Sequence, residues 1–113
     1  MSLGSMQREF TLDIAKLIIW AYDNGFELTQ GDAYRDPRSH GKFGEKGTYG
    51  RRHSLHKLRL AKDLNLFIDG VYQTTTEAHR PLGEYWESLR EGNSWGGHFN
   101  DGNHYSRKYH GFR

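Results

Sequence analysis

The chain contains no cysteine. That excludes disulfides and any thiolate metal site, so a transition metal could be held only by histidine, aspartate or glutamate. Long hydrophobic runs are missing too. The one continuous apolar stretch of note, LIIWAY, falls far short of a bilayer. No apolar segment follows a basic start, so no secretory signal is read. A large excess of either charge is missing as well: 16 Lys and Arg stand against 14 Asp and Glu, and the formal net charge of +2 suits a polyanionic partner only weakly. Apolar residues are 35% of the 113, a low share, but 14% of the chain is aromatic. Aromatic side chains bury large areas each, so one modest core can close and the composition is that of a single globular domain.

The opening MSLGS looks like a vector-derived leader, which sets residues 1–5 apart from a domain over 6–113. From Arg8 to Asn24 the residues Phe10, Ile14, Leu17, Ile18, Ala21 and Tyr22 recur at helical spacing, and Gly25 is a suitable stop. FELTQGDAYR reads as a short strand leading to Arg35, and residues 36–53 as a polar, Gly-rich, basic loop. SLHKLRLAKDLNLF, residues 54–67, reads as a strand. Parity places Leu58, Leu60, Leu64, Leu66 and Ile68 on one face, and Arg59, Ala61, Asp63, Asn65 and Phe67 on the other. Asp69-Gly70 predicts a type I′ hairpin, LGEYWESLREG a helix with Pro81 near its first turn and Gly92 at its end, and His104 to Ser106 a last strand. The expected fold is α+β: one small domain, an antiparallel sheet with flanking helices. No repeat or domain linker is visible.

His56 and Asp63 are an odd number of residues apart and would face opposite ways on one regular strand. They converge only if His56 lies in the loop before the strand. Asp101-Gly102-Asn103-His104 forms a second cluster, with Gly96, Gly97 and Gly102 allowing sharp turns. Two imidazoles and a carboxylate make a three-ligand zinc set with room for water, and a further carboxylate beside it would be a general base. The bland reading competes at this point: Asp63 bonding a backbone amide or pairing with Arg59, and His56 and His104 half-exposed in loops.

SLHKLRLAKD resembles the Ser-x-His-x-x-x-x-Ala-x-Asp signature of the zinc D-alanyl-D-alanine carboxypeptidase and L-alanyl-D-glutamate peptidase family. DGNHYS resembles its second signature, an acidic residue, two spacers and a histidine. GDAYRDP is similar to its upstream Tyr-Arg-x-Pro element. The three occur in the family's order over residues 31 to 106. PLGEYWESL and WGG add a likeness to short, bacteriophage-type members. Many members have Gly where Arg59 stands, and this chain departs from that form.

The resemblance implies that His56, Asp63 and His104 bind zinc, that Asp101 is the catalytic base, and that Arg35 binds a substrate carboxylate or polarises the scissile carbonyl. It implies a peptidoglycan hydrolase acting on stem peptides, as an L-alanyl-D-glutamate endopeptidase or a D-alanyl-D-alanine carboxypeptidase. It also implies a phage or prophage lysin, made in the host cytoplasm and acting on the cell wall. Ser54 and His98 are lesser candidates for substrate contact. Lys42, Lys46, Arg51 and Arg52 would favour an anionic wall or simply form a solvated loop. His53, His40, His79 and His110 are expected at the surface, Trp20 and Trp86 in the core, and Trp95 in packing rather than as a cleft wall. A monomer is expected, with no nucleic acid and no membrane partner. The alternatives are a non-catalytic zinc domain on the same scaffold, as in the hedgehog signalling domains, and a His-metal nuclease.

Overall fold

The computed structural model describes residues 1–34, 42–44 and 53–113. Its first element, α1 (Leu3–Asp23), buries Phe10, Leu17 and Ala21 together with Asp13. The helix thus starts inside the stretch set apart as a leader. The cause is local: the Ser2 hydroxyl caps it by accepting from the Ser5 amide, and Gly4 is carried within the first turn. Asn24 closes the other end, and Gly25 follows with φ +82°, the left-handed stop expected of it. Tyr22, predicted on the apolar face, is 52% exposed, and its hydroxyl bonds the backbone of Leu28 instead.

Strand β1 (Phe26–Gln30) runs antiparallel to β2 (Ala61–Ile68), with Phe26 opposite Ile68 and Gln30 opposite Leu64. The β2 chain then turns through Asp69 and Gly70, whose φ values of 51° and 76° are the positive pair a type I′ turn requires, into β3 (Val71–Tyr72). Helix α2 (Arg80–Leu89) has Pro81 in its first turn. It stops short of the predicted Gly92 because Arg90 turns out to pair with Asp13 through two nitrogens, at 2.8 and 3.2 Å. Strands β4 (Asn93–Trp95) and β5 (His104–Arg107) complete a sheet in the order β1-β2-β5-β4, with β3 on the far end of β2. The fold is therefore α+β with an antiparallel sheet, as the sequence leads one to expect. β4 is an addition to that expectation.

The core lies between the helices and the sheet. Trp86, with Trp95 one of its two buried tryptophans, is edge-on to Phe10 at 5.5 Å, with its indole N–H donating to the carbonyls of Ser94 and Ser106. A buried indole needs such a partner, and here it links α2 to β4 and β5. Within β2, Leu64 and Leu66 are fully buried and Ile68 partly so, which bears out that part of the leucine face; Leu58 and Leu60 precede the strand and reach the core from outside it. Trp20 is only half-buried, stacked on Tyr85 at 4.6 Å. Among the described residues no helix is long and apolar enough to cross a membrane.

Candidate metal centre

The segment before β2 is not strand. Leu55–Leu58 forms a single 3-10 turn, capped by the Ser54 hydroxyl, which accepts from the His56 amide at 3.3 Å. Arg59 ends the turn with φ 57° and ψ 34°. A left-handed residue is where glycine would be easiest. Arg59 makes the bend regardless, and its guanidinium lies 4.0 Å from the centre of the Tyr34 ring, a cation–π contact that offsets part of the strain. The bend lets His56 and Asp63 meet, as their odd spacing requires.

The His56 ring is buried, with Nδ1 2.7 Å from the Ala33 carbonyl oxygen. A carbonyl can only accept, so Nδ1 carries the proton and the neutral ring presents a lone pair at Nε2. That atom is buried, has no hydrogen-bond partner, and faces Asp63 Oδ1 at 3.4 Å. Two acceptors facing one another out of water repel unless a cation or a proton lies between them. Asp63 and His104 stand opposite one another across the β2–β5 ladder, which puts both side chains on one face. His104 Nδ1 approaches the same Oδ1 at 3.3 Å. Both separations exceed the usual N–H···O range of about 2.7–3.2 Å. Two of the three ligand separations thus lie near the edge, about 3.3–3.4 Å, of a tetrahedron whose ligands stand about 2.0–2.1 Å from an ion.

His56, Asp63 and His104 thus form a cluster that could hold a metal ion, their ligand atoms all within 4.8 Å of one another. Burial pushes the Asp63 carboxyl up; when the two imidazoles are protonated, hydrogen bonds and charge from His104 and His56 outweigh it and hold the group well below the ordinary carboxylate range. The cluster is framed by backbone. The Gly31 N–H donates to the Asp63 carbonyl at 2.9 Å, and the Asp63 N–H to the Asp32 carbonyl at 2.7 Å. A Cβ at Gly31 would come within 3.0 Å of Asp63 Cβ, so the chain passes closely under the carboxylate.

Asp101 is exposed, on the turn that leads into β5. Its amide donates to the Gly96 carbonyl and its carbonyl accepts from the His104 amide, so one turn sets both residues. A Cβ at Gly96 would overlap the Asp101 carbonyl oxygen, which is why glycine is needed there. Arg35 lies outside the described residues, as do His40, Lys46, Arg51 and Arg52. Ser54 is buried at the head of the His56 turn. His98 is exposed, and its Nε2 pairs with Glu87 at 2.7 Å. His53 and His110 are exposed as expected, His53 stacking on Phe112 at 4.6 Å. Trp95 is buried, and its indole N–H donates to the Gly102 carbonyl at 2.7 Å, so it is a packing residue.

His79 corrects the sequence reading. It was expected at the surface and is 4% exposed. Its Nδ1 bonds the Thr75 carbonyl at 2.7 Å, within its own turn, while the covering surface comes from Gly102, far along the chain. The Ala33 carbonyl that orients His56 was likewise out of reach of side-chain motifs.

No protein-family model matches the chain, and no curated protein matches it.

Proposed function

We propose that this protein is a zinc peptidase that hydrolyses amide bonds of peptidoglycan stem peptides, in the manner of a phage or prophage lysin. The observation that carries the proposal is the convergence of His56, Asp63 and His104 on one point, with Nε2 of His56 and Nδ1 of His104 both directed at Asp63 Oδ1. Two nitrogen ligands and one oxygen suit zinc, and three protein ligands rather than four are the set of a catalytic site rather than a closed structural one. The sequence resemblance to the D-alanyl-D-alanine and L-alanyl-D-glutamate peptidases supplies the substrate class.

In this reading His56, Asp63 and His104 hold the ion, and the Ala33 carbonyl fixes the tautomer that lets His56 do so. Bound there, zinc would supply Lewis acidity, making water a better nucleophile and the scissile carbonyl a better electrophile. Asp101, exposed and three residues before His104, accepts the proton from the attacking water and passes it to the leaving amine. Arg35 offers the bidentate donors that a stem-peptide carboxylate needs. The protein would be made in the host cytoplasm and act at the wall.

Digestion of purified peptidoglycan by zinc-loaded and by chelated protein, with the new termini read by mass spectrometry, tests this. The expected product has a new N-terminal D-glutamate and is lost on chelation. Released D-alanine would keep the mechanism and change the bond cut. No cleavage by protein carrying one zinc per chain would overturn the peptidase and leave the non-catalytic zinc domain.

A further inference from the structure

The turn that carries Asp101 is gripped from two sides. On one side the Trp95 indole donates to the Gly102 carbonyl at 2.7 Å. On the other lies the Thr75–His79 segment. A Cβ at Gly102 would stand 2.8 Å from Thr76 Cα and 3.2 Å from Cγ and Nδ1 of His79, so the Gly102 backbone rests directly on that segment. The Thr76 hydroxyl and the Asn100 side-chain oxygen are 3.2 Å apart, a second tie on the near side of Asp101. His79 itself is held: buried, with its Nδ1 proton on the Thr75 carbonyl at 2.7 Å. Where the two segments meet, a polar cavity of about 180 Å³ is lined by Thr75, Thr76, His79, Asn100, Asp101 and Asn103. Imidazole and carboxylate therefore border the same space.

We propose that His79 is a positioning residue for Asp101: the Thr75–His79 turn, locked by its own imidazole, is the platform that holds the Asp101 turn, whose carbonyl in turn bonds the His104 amide. This rests on the reading of Asp101 as the base. An imidazole is suited to the task. Its Nδ1–H closes the turn through Thr75, and the flat ring leaves room for Gly102 to settle against it. A small aliphatic side chain would fill the space without closing the turn.

The test uses full-length, zinc-loaded protein and two independent readouts: the 13C chemical shift of the Asp101 carboxyl, and kcat and KM on a synthetic L-alanyl-D-glutamyl stem peptide. His79→Ala is expected to move the Asp101 resonance and to lower kcat about tenfold or more, as a displaced general base should, with KM and zinc content unchanged. His79→Asn, whose side-chain N–H can replace Nδ1 as donor to Thr75, is expected to restore both. Should the alanine variant not fold, His79→Gln, whose amide sits one bond too far out for that donation, is expected to show the same losses. An Asp101 resonance and a kcat that both stay at wild-type values in a folded, zinc-containing Ala or Gln variant would overturn the proposal. If wild-type protein cuts no stem peptide, the peptidase reading fails, and the Asp101 resonance alone decides the role of His79.

Discussion

Asp63 and His104 face each other across two neighbouring strands, and the carboxylate oxygen that lies 3.3 Å from His104 also lies 3.4 Å from His56. One oxygen is thus the meeting point of side chains from a 3-10 turn, the start of β2 and the start of β5.

Removing that oxygen's charge tests the metal centre directly. Asp63→Asn keeps the shape and leaves two imidazoles without the anion. Its zinc affinity is expected to fall by more than about 100-fold, beyond the range typical of residues that only support a ligand. Titration with zinc against a competing chelator measures it. In the wild type, zinc at about 100 times its Kd should add about 2.7 kcal/mol of stability, roughly 10 °C in Tm for a domain of this size. A melting curve indifferent to both zinc and chelator would sink the metal reading.

Arg59 holds a left-handed backbone and stacks on Tyr34. Substitution by Ala keeps the strain and loses the stack, whereas Gly relieves the strain and loses the stack. The left-handed cost and the cation–π contact are each worth about 1 kcal/mol. Arg59→Ala should therefore be less stable than Arg59→Gly by about 1 kcal/mol, with Arg59→Gly close to wild type. Urea unfolding of the three proteins settles the order, and equal loss in both variants would show that the bend is not strained.

The buried Asp13 and the half-buried Arg90 are not equivalent partners. Losing Asp13 leaves a guanidinium that can turn to water or to Glu9, already 3.2 Å away. Losing Arg90 leaves a carboxylate out of water with, among the described residues, the Asn93 amide to bond it. Arg90→Met is expected to cost about 3 kcal/mol, and Asp13→Asn less than half of that. Equal costs would mean that Asp13 is better solvated than its burial indicates.

His79 supplies a pH dependence. Burial lowers its pKa below the ordinary 6.5, against the opposing pull of its bond to Thr75 and the charge of Asp101. Below pH 6.5 the unfolded chain therefore binds a proton that the folded chain resists. Stability rises with pH across that window and is lost as pH falls from 6.5 toward the folded value. In chelated protein, the loss of urea midpoint between pH 7.5 and pH 5.5 should be smaller for His79→Asn than for wild type. An identical loss in both would show that His79 titrates as it does in water.

The features legible in the sequence are those written in local spacing. Phe10, Leu17 and Ala21 announce α1, Asp69-Gly70 announces the hairpin, and the odd separation of His56 from Asp63 already requires a break between them. The nature of that break was hidden. Leu58 and Leu60 continue the alternation of Leu64 and Leu66, so a turn and a left-handed Arg59 look like more strand. β4 is three residues long, too short for any period to show. The burial of His79 depends on Gly102, and the orientation of His56 on a backbone oxygen of Ala33. Contacts made by backbone, or across long stretches of chain, leave no pattern in side-chain order.

The ladder that seats His104 beside Asp63 also gives the protein a built-in gauge. A strand that slips by one residue turns every side chain to the opposite face. β5 displaced by a single place against β2 could still pair its backbone, yet would carry its imidazole away from the carboxylate. A chain assembled out of step could keep its strand content, yet it would turn the buried Tyr105 outward and break up the His56, Asp63 and His104 cluster.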